Sequence, residues 1–179
     1  MPLGRFLRIV GARGLQGAHP AMTPIPRELR RSYDSLLRDM HLALLSEFGA
    51  RSIYSHLSRQ VHDPELQRML LRLNEDGAQS VIRLRDLMTS MGARPKRTSF
   101  RRRALARSLA YLSRVTGPRP ILRICQHAED TVARWYGEYA HFLRRLNDPT
   151  RARELEGLRR TKILNAQQLG AFASLLRSS

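Results

Sequence analysis

Beyond Pro26, apolar residues recur every three or four positions, and no stretch alternates convincingly between apolar and polar residues. Such spacing places apolar side chains along one face of a helix. The pattern predicts an all-α chain with long helices at about 27–60, 64–91 and 121–146, and a fourth after a turn at 147–150. A short basic helix is expected at about 101–115, between the second and third long helices.

Turn signals divide these helices into pairs. In "HDPE" (62–65), Asp63 is a predicted N-cap and Pro64 occupies the first helical position, and "NDPT" (147–150) repeats the arrangement. Two tight helical hairpins joined by a longer crossover predict a ferritin-like four-helix bundle over residues 27–177. Residues 1–26 are expected to form a separate basic extension.

The charge balance predicts an anionic partner. The chain has 32 Lys and Arg residues against 15 Asp and Glu residues, a formal net charge of +17. This surplus favours RNA, anionic lipid or an acidic protein surface without choosing among them. No apolar run approaches about 18 residues, so no transmembrane helix is expected. The single cysteine, Cys125, excludes an intrachain disulfide and is expected to be a buried structural thiol.

The N-terminal extension has the composition of a mitochondrial targeting segment. The first 27 residues of the chain contain no acid and four arginines, and a few apolar residues would gather on one side of a short helix. The alternative is a disordered basic tail in an Arg-rich chain. The first interpretation places the protein in the mitochondrial matrix or on the matrix side of the inner membrane.

Polar residues interrupt the apolar stripes near the middle of each helix. Helix one contributes Glu47 and helix three contributes Glu129. Helix four contributes the pair Asn165 and Gln168, on a stripe with Leu158, Thr161, Phe172 and Leu175. Helix two has Gly77 and Ser80 on the stripe, flanked by Asp76 and Gln79. A di-iron carboxylate bundle takes one Glu from each of two helices and a Glu-x-x-His pair from each of the other two.

Three further segments are informative: "SEFGARSIY" (46–54), "DLM" (86–88) followed by "RP" (94–95), and "AEDTVARWY" (128–136). In this order they resemble the demethoxyubiquinone hydroxylases, which are membrane-associated di-iron proteins of ubiquinone biosynthesis. The resemblance covers about residues 38–172 and implies that Glu47 and Glu129 stand at metal-binding carboxylate positions.

The departures from that family argue against catalysis. By the resemblance, Asn165 stands where a Glu ligand belongs and Gln168 where a His ligand belongs. The second helix offers Gly77 and Ser80 in one register, or Asp76 and Gln79 in another, and neither restores a histidine. Amide oxygen is a poor substitute for imidazole as an iron ligand. We therefore expect no catalytic residue and no cofactor, with Asn165 and Gln168 donating hydrogen bonds to buried Glu47 and Glu129.

The crossover is the most basic part of the chain. Residues 92–126 contain no acid. The residues expected to bind an anionic partner are Arg101, Arg102, Arg103, Arg107 and Arg114. Their spacing suits lipid headgroups or RNA phosphates, and the alternative is a solvated basic face.

Three functions remain open at the level of sequence. The first is a non-catalytic accessory subunit of a mitochondrial assembly: a respiratory-chain or ATP-synthase complex, or the mitochondrial ribosome with its rRNA. The second is a hydroxylase with an aberrant di-iron site. The third is a free-standing RNA- or lipid-binding module.

Overall fold

The computed structural model describes residues 27–95 and 116–176, with side chains from residue 32 onward. These residues form four helices, α1 (Arg27–Leu57), α2 (Pro64–Ser90), α3 (Pro118–Arg145) and α4 (Pro149–Leu175), and no strand occurs among them. The all-α prediction is confirmed for this part of the chain. The predicted helix at 101–115 and its arginines lie outside the described residues.

Helix boundaries follow the turn chemistry. The Asp63 carboxylate accepts hydrogen bonds from the backbone N–H groups of Glu65 and Leu66 at 2.8 and 2.9 Å, confirming the predicted N-cap. Helix α3 begins three residues earlier than predicted, because Gly117 adopts φ 78° and Pro118 then occupies the first turn. Helix α1 ends at Leu57, before the predicted boundary at 60.

Two apolar clusters occupy opposite halves of the bundle. The first cluster contains residues from the first halves of α1 and α4 and from the second halves of α2 and α3. The second cluster contains residues from the second halves of α1 and α4 and from the first halves of α2 and α3. Helix α1 packs against α2 and α3, and α4 packs against the same two helices. Neighbouring helices are therefore antiparallel, and α2 and α3 run in the same direction.

A layer of buried polar residues separates the apolar clusters. On each helix it falls between residues of the first cluster and residues of the second. Its fully buried members are Glu47, Ser80, Glu129, Lys162 and Asn165. Because a buried charge without a partner is strongly destabilising, this layer must be internally paired.

No helix in the described ranges combines the length and apolarity that crossing a lipid bilayer requires.

Candidate functional site

The polar layer centres on a lysine between two glutamates. Glu47 of α1, Glu129 of α3 and Lys162 of α4 are 1%, 3% and 1% exposed. The Lys162 Nζ lies 2.6 Å from Glu47 Oε2 and 3.1 Å from Glu129 Oε2. One ammonium group thus links three of the four helices through buried ion pairs. We call Glu47, Glu129, Lys162, Tyr54 and Tyr136 the charge cluster.

Two tyrosines complete the cluster in a reciprocal arrangement. The Tyr136 hydroxyl of α3 donates to Glu47 Oε1 at 2.7 Å, and the Tyr54 hydroxyl of α1 donates to Glu129 Oε1 at 2.8 Å. Each glutamate therefore has one oxygen facing a tyrosine of the opposite helix and one facing Lys162. Glu129 Oε2 accepts no hydrogen bond within the described residues, so its contact with Lys162 is an ion pair alone.

Burial and mutual charge set the protonation of the cluster. Burial raises the pKa of Glu47, although the Lys162 ammonium opposes this effect. Burial alone would lower the pKa of Lys162, but Glu47 and Glu129 together raise it above its ordinary value. Burial, followed by the adjacent carboxylates, raises the pKa of Tyr54 and Tyr136. Lys162 is therefore a cation, and the tyrosines are neutral donors.

These shifts predict the pH dependence of stability. Because folding raises the pKa of Glu47 above 4.5, the folded state binds its proton more tightly, and stability falls as pH rises from about 4.5 through the folded-state value. The contribution of Lys162 is fully present below pH 10.5 and is lost as pH rises through its folded-state value.

Replacing Glu47 by Gln should therefore remove part of the decline in stability as pH rises above 4.5. Urea unfolding at intervals across this range would measure the difference in unfolding free energy between variant and wild type. Glu75→Gln, at an exposed position of α2, is the matched control. Parallel pH profiles for wild type and Glu47→Gln would contradict the assignment.

The amides predicted to hold the glutamates do not do so. In the amide orientation that suits both neighbours, Asn165 donates to the Thr161 carbonyl at 3.2 Å and to Asp76 Oδ2 at 3.3 Å. Gln168 is half-buried. The prediction that Asn165 and Gln168 bind Glu47 and Glu129 was wrong, because Lys162 and the tyrosines occupy their oxygens.

The second helix contributes little to the cluster. Asp76 is half-buried beside Asn165, Gln79 is exposed, and Ser80 is buried. At Gly77 a Cβ would come within 2.7 Å of Arg51 Cγ, so glycine makes room for the arginine side chain. Gly77 therefore provides a packing contact with Arg51 in the polar layer, at a position where the resemblance would place a metal ligand.

The residues present do not fit a di-iron centre. The Lys162 ammonium touches both carboxylates and would repel a metal ion placed between them. Within the described ranges, no group of three or more His, Cys, Asp or Glu side chains is arranged to hold a metal. Glu47 and Glu129 both contact one cation, and that cation belongs to the chain itself.

Cys125 lies near the cluster and is buried. Burial, followed by the charge of Glu129, raises the pKa of its thiol to about 12. The prediction of a structural, unreactive thiol fits this environment.

Comparison of the chain with models of known protein families, with curated proteins and with solved structures found no match.

Sequence reasoning missed Lys162, the centre of the site. The predicted stripe of helix four shares Leu158 and Asn165 with the buried face, but it placed Thr161 and Leu175 inward where the structure buries Lys162 and Leu169. Thr161 is half-buried and Leu175 is 65% exposed. The composition could have drawn attention to Lys162, since only Lys96 and Lys162 among the 32 Lys and Arg residues are lysines.

Proposed function

We propose that this protein is a non-catalytic, ferritin-like bundle that serves as a structural accessory subunit of a larger mitochondrial assembly. The observation that carries the proposal is the Lys162 ammonium between Glu47 and Glu129. A di-iron enzyme needs that space for metal, whereas a structural subunit needs only that the buried carboxylates be neutralised. The chain is on this view a pseudoenzyme.

The helix directions support the ferritin-like part of the proposal. Since α2 and α3 run in the same direction, α2 ends at one end of the bundle and α3 begins at the other. A long crossover between the second and third helices is the feature that distinguishes a ferritin-like bundle from a simple up-down-up-down bundle.

Iron analysis tests the non-catalytic assignment. Protein produced with added iron should contain well under one iron atom per chain after desalting, because the Lys162 ammonium lies between the two available carboxylates and the resembled ligand positions hold no histidine. Two iron atoms per chain, lost on Glu47→Ala, would contradict the proposal and favour an aberrant hydroxylase.

The accessory role rests on the basic crossover. Its acid-free sequence supports attachment to an anionic surface, which anionic lipid of the inner membrane or rRNA of the mitochondrial ribosome would provide. The acid-free N-terminal segment supports the mitochondrial location.

Changing Arg101, Arg102, Arg103 and Arg107 to Gln should reduce co-migration of the chain with its host assembly on density gradients, since adjacent unopposed charges dominate such contacts. The matched control changes four exposed, dispersed residues to Gln: Arg72, Arg134, Arg153 and Arg160. Both variants lose four charges, so equal effects would show that only net charge matters. Nuclease treatment should release the chain if rRNA holds it, and detergent should release the chain if lipid holds it.

A further inference from the structure

The charge cluster has the composition of a ligand site. Two carboxylate oxygens, Glu47 Oε2 and Glu129 Oε2, converge on one point from α1 and α3, and that point holds the Lys162 Nζ. The other carboxylate oxygens accept from tyrosine hydroxyls. The hydroxyls bond to the carboxylate oxygens that do not face the cation, and so fix the orientation of each carboxylate, as supporting groups do around a bound ion.

We infer that Glu47, Glu129, Tyr54 and Tyr136 form a binding site for a primary alkylammonium ion, and that the Lys162 side chain is its tethered ligand. This site lies in the interior of the bundle and is independent of the accessory role proposed above.

Charge supports a cationic ligand. Both carboxylates are at most 3% exposed, so water cannot screen their charges. With Lys162 removed, two like charges would face each other in a medium of low polarity, where their repulsion is strong. The site should therefore select a cation over a neutral molecule of the same shape.

The residue type supports ammonium over guanidinium. The chain uses arginine for all basic positions except Lys96 and Lys162. An ammonium is a compact point charge, whereas guanidinium is a planar fork that suits bidentate pairing with a single carboxylate. Here one nitrogen contacts two carboxylates from different helices, at 2.6 and 3.1 Å. The geometry fits the compact ion.

The test replaces the tethered ligand by a free one. Lys162→Ala removes Cγ, Cδ, Cε and Nζ, which together have the shape of n-propylammonium. Adding n-propylammonium chloride should raise the melting temperature of this variant, by about 3–6 °C at ten times the dissociation constant. Adding 1-propanol, the neutral molecule of similar size, should not raise it.

Two controls separate site binding from general effects of salt. Wild type already holds its own ammonium, so its melting temperature should not respond to n-propylammonium beyond its response to sodium chloride. The triple variant Glu47→Gln, Glu129→Gln, Lys162→Ala keeps the space but loses the charges, so it should not distinguish n-propylammonium from 1-propanol. The inference would be overturned if both molecules stabilised Lys162→Ala equally, or if neither molecule stabilised it.

If Lys162→Ala does not fold alone, the readout becomes ligand-induced folding. Circular dichroism should show helix formation on adding n-propylammonium and none on adding 1-propanol. The triple variant should fold without either, because it has no buried carboxylate to neutralise. An unfolded triple variant, or a Lys162→Ala chain that stays unfolded in n-propylammonium, would overturn the inference.

Discussion

Replacing Lys162 by Met should lower the free energy of unfolding by about 3–5 kcal/mol, the range expected when one partner of a buried ion pair is removed. Methionine keeps most of the side-chain volume, so loss of packing contributes little. The loss arises because Glu47 and Glu129 remain buried without a cation. Denaturant unfolding of the variant and wild type at pH 7 would measure it.

Two further variants control for packing and charge in this experiment. Leu158→Met alters another buried residue of α4 without changing charge, and should cost under about 1.5 kcal/mol. Glu47→Gln combined with Lys162→Met should recover part of the loss, because one carboxylate is removed. A Lys162→Met variant no less stable than Leu158→Met would contradict this account of the core.

Replacing Tyr136 by Phe should lower the free energy of unfolding by about 1.5–3 kcal/mol, the range for a hydrogen bond to a charged group. The variant keeps the ring but removes the donor that lies 2.7 Å from Glu47 Oε1. That oxygen would then be buried without its partner. Thermal and denaturant unfolding would both report the loss.

The adjacent Tyr139 provides the matched control. Its ring packs against Tyr136 in a T-shaped contact with 6.3 Å between centroids, and its hydroxyl is not one of the two that bond to the glutamates. Tyr139→Phe should therefore cost clearly less than Tyr136→Phe. Equal losses would show that the Tyr136 hydroxyl contributes no more than an ordinary core tyrosine.

The helices were predictable because their signals are local. Apolar spacing and the turn chemistry of Asp63 and Pro64 act within a few residues, and the structure places helices close to where these signals predict them. The start of α3 was misjudged by three residues, because Gly117 and Pro118 together start the helix at Pro118 and not at the predicted residue 121.

The glutamates of the site were predictable, but their partners were not. Glu47 and Glu129 interrupt apolar stripes, and a buried carboxylate on a stripe indicates a polar interior. Lys162 was missed because a rotation of helix four by one residue exchanges Thr161 for Lys162 on the buried face. That rotation is set by packing against α2 and α3, which the sequence of one helix does not encode.

Nitrogen-15 NMR of the lysine side chains tests the central claim most directly. The chain has only two lysines, so selective labelling gives two ammonium signals, and Lys96→Arg assigns them. We predict that the folded protein at neutral pH shows a Lys162 ammonium signal in slow exchange with water. It should keep the shift of a protonated amine above pH 10.5, since the glutamates raise its pKa despite burial. A Lys162 signal that exchanges rapidly with water, or that titrates as a neutral amine below pH 10.5, would contradict a buried ammonium between Glu47 and Glu129.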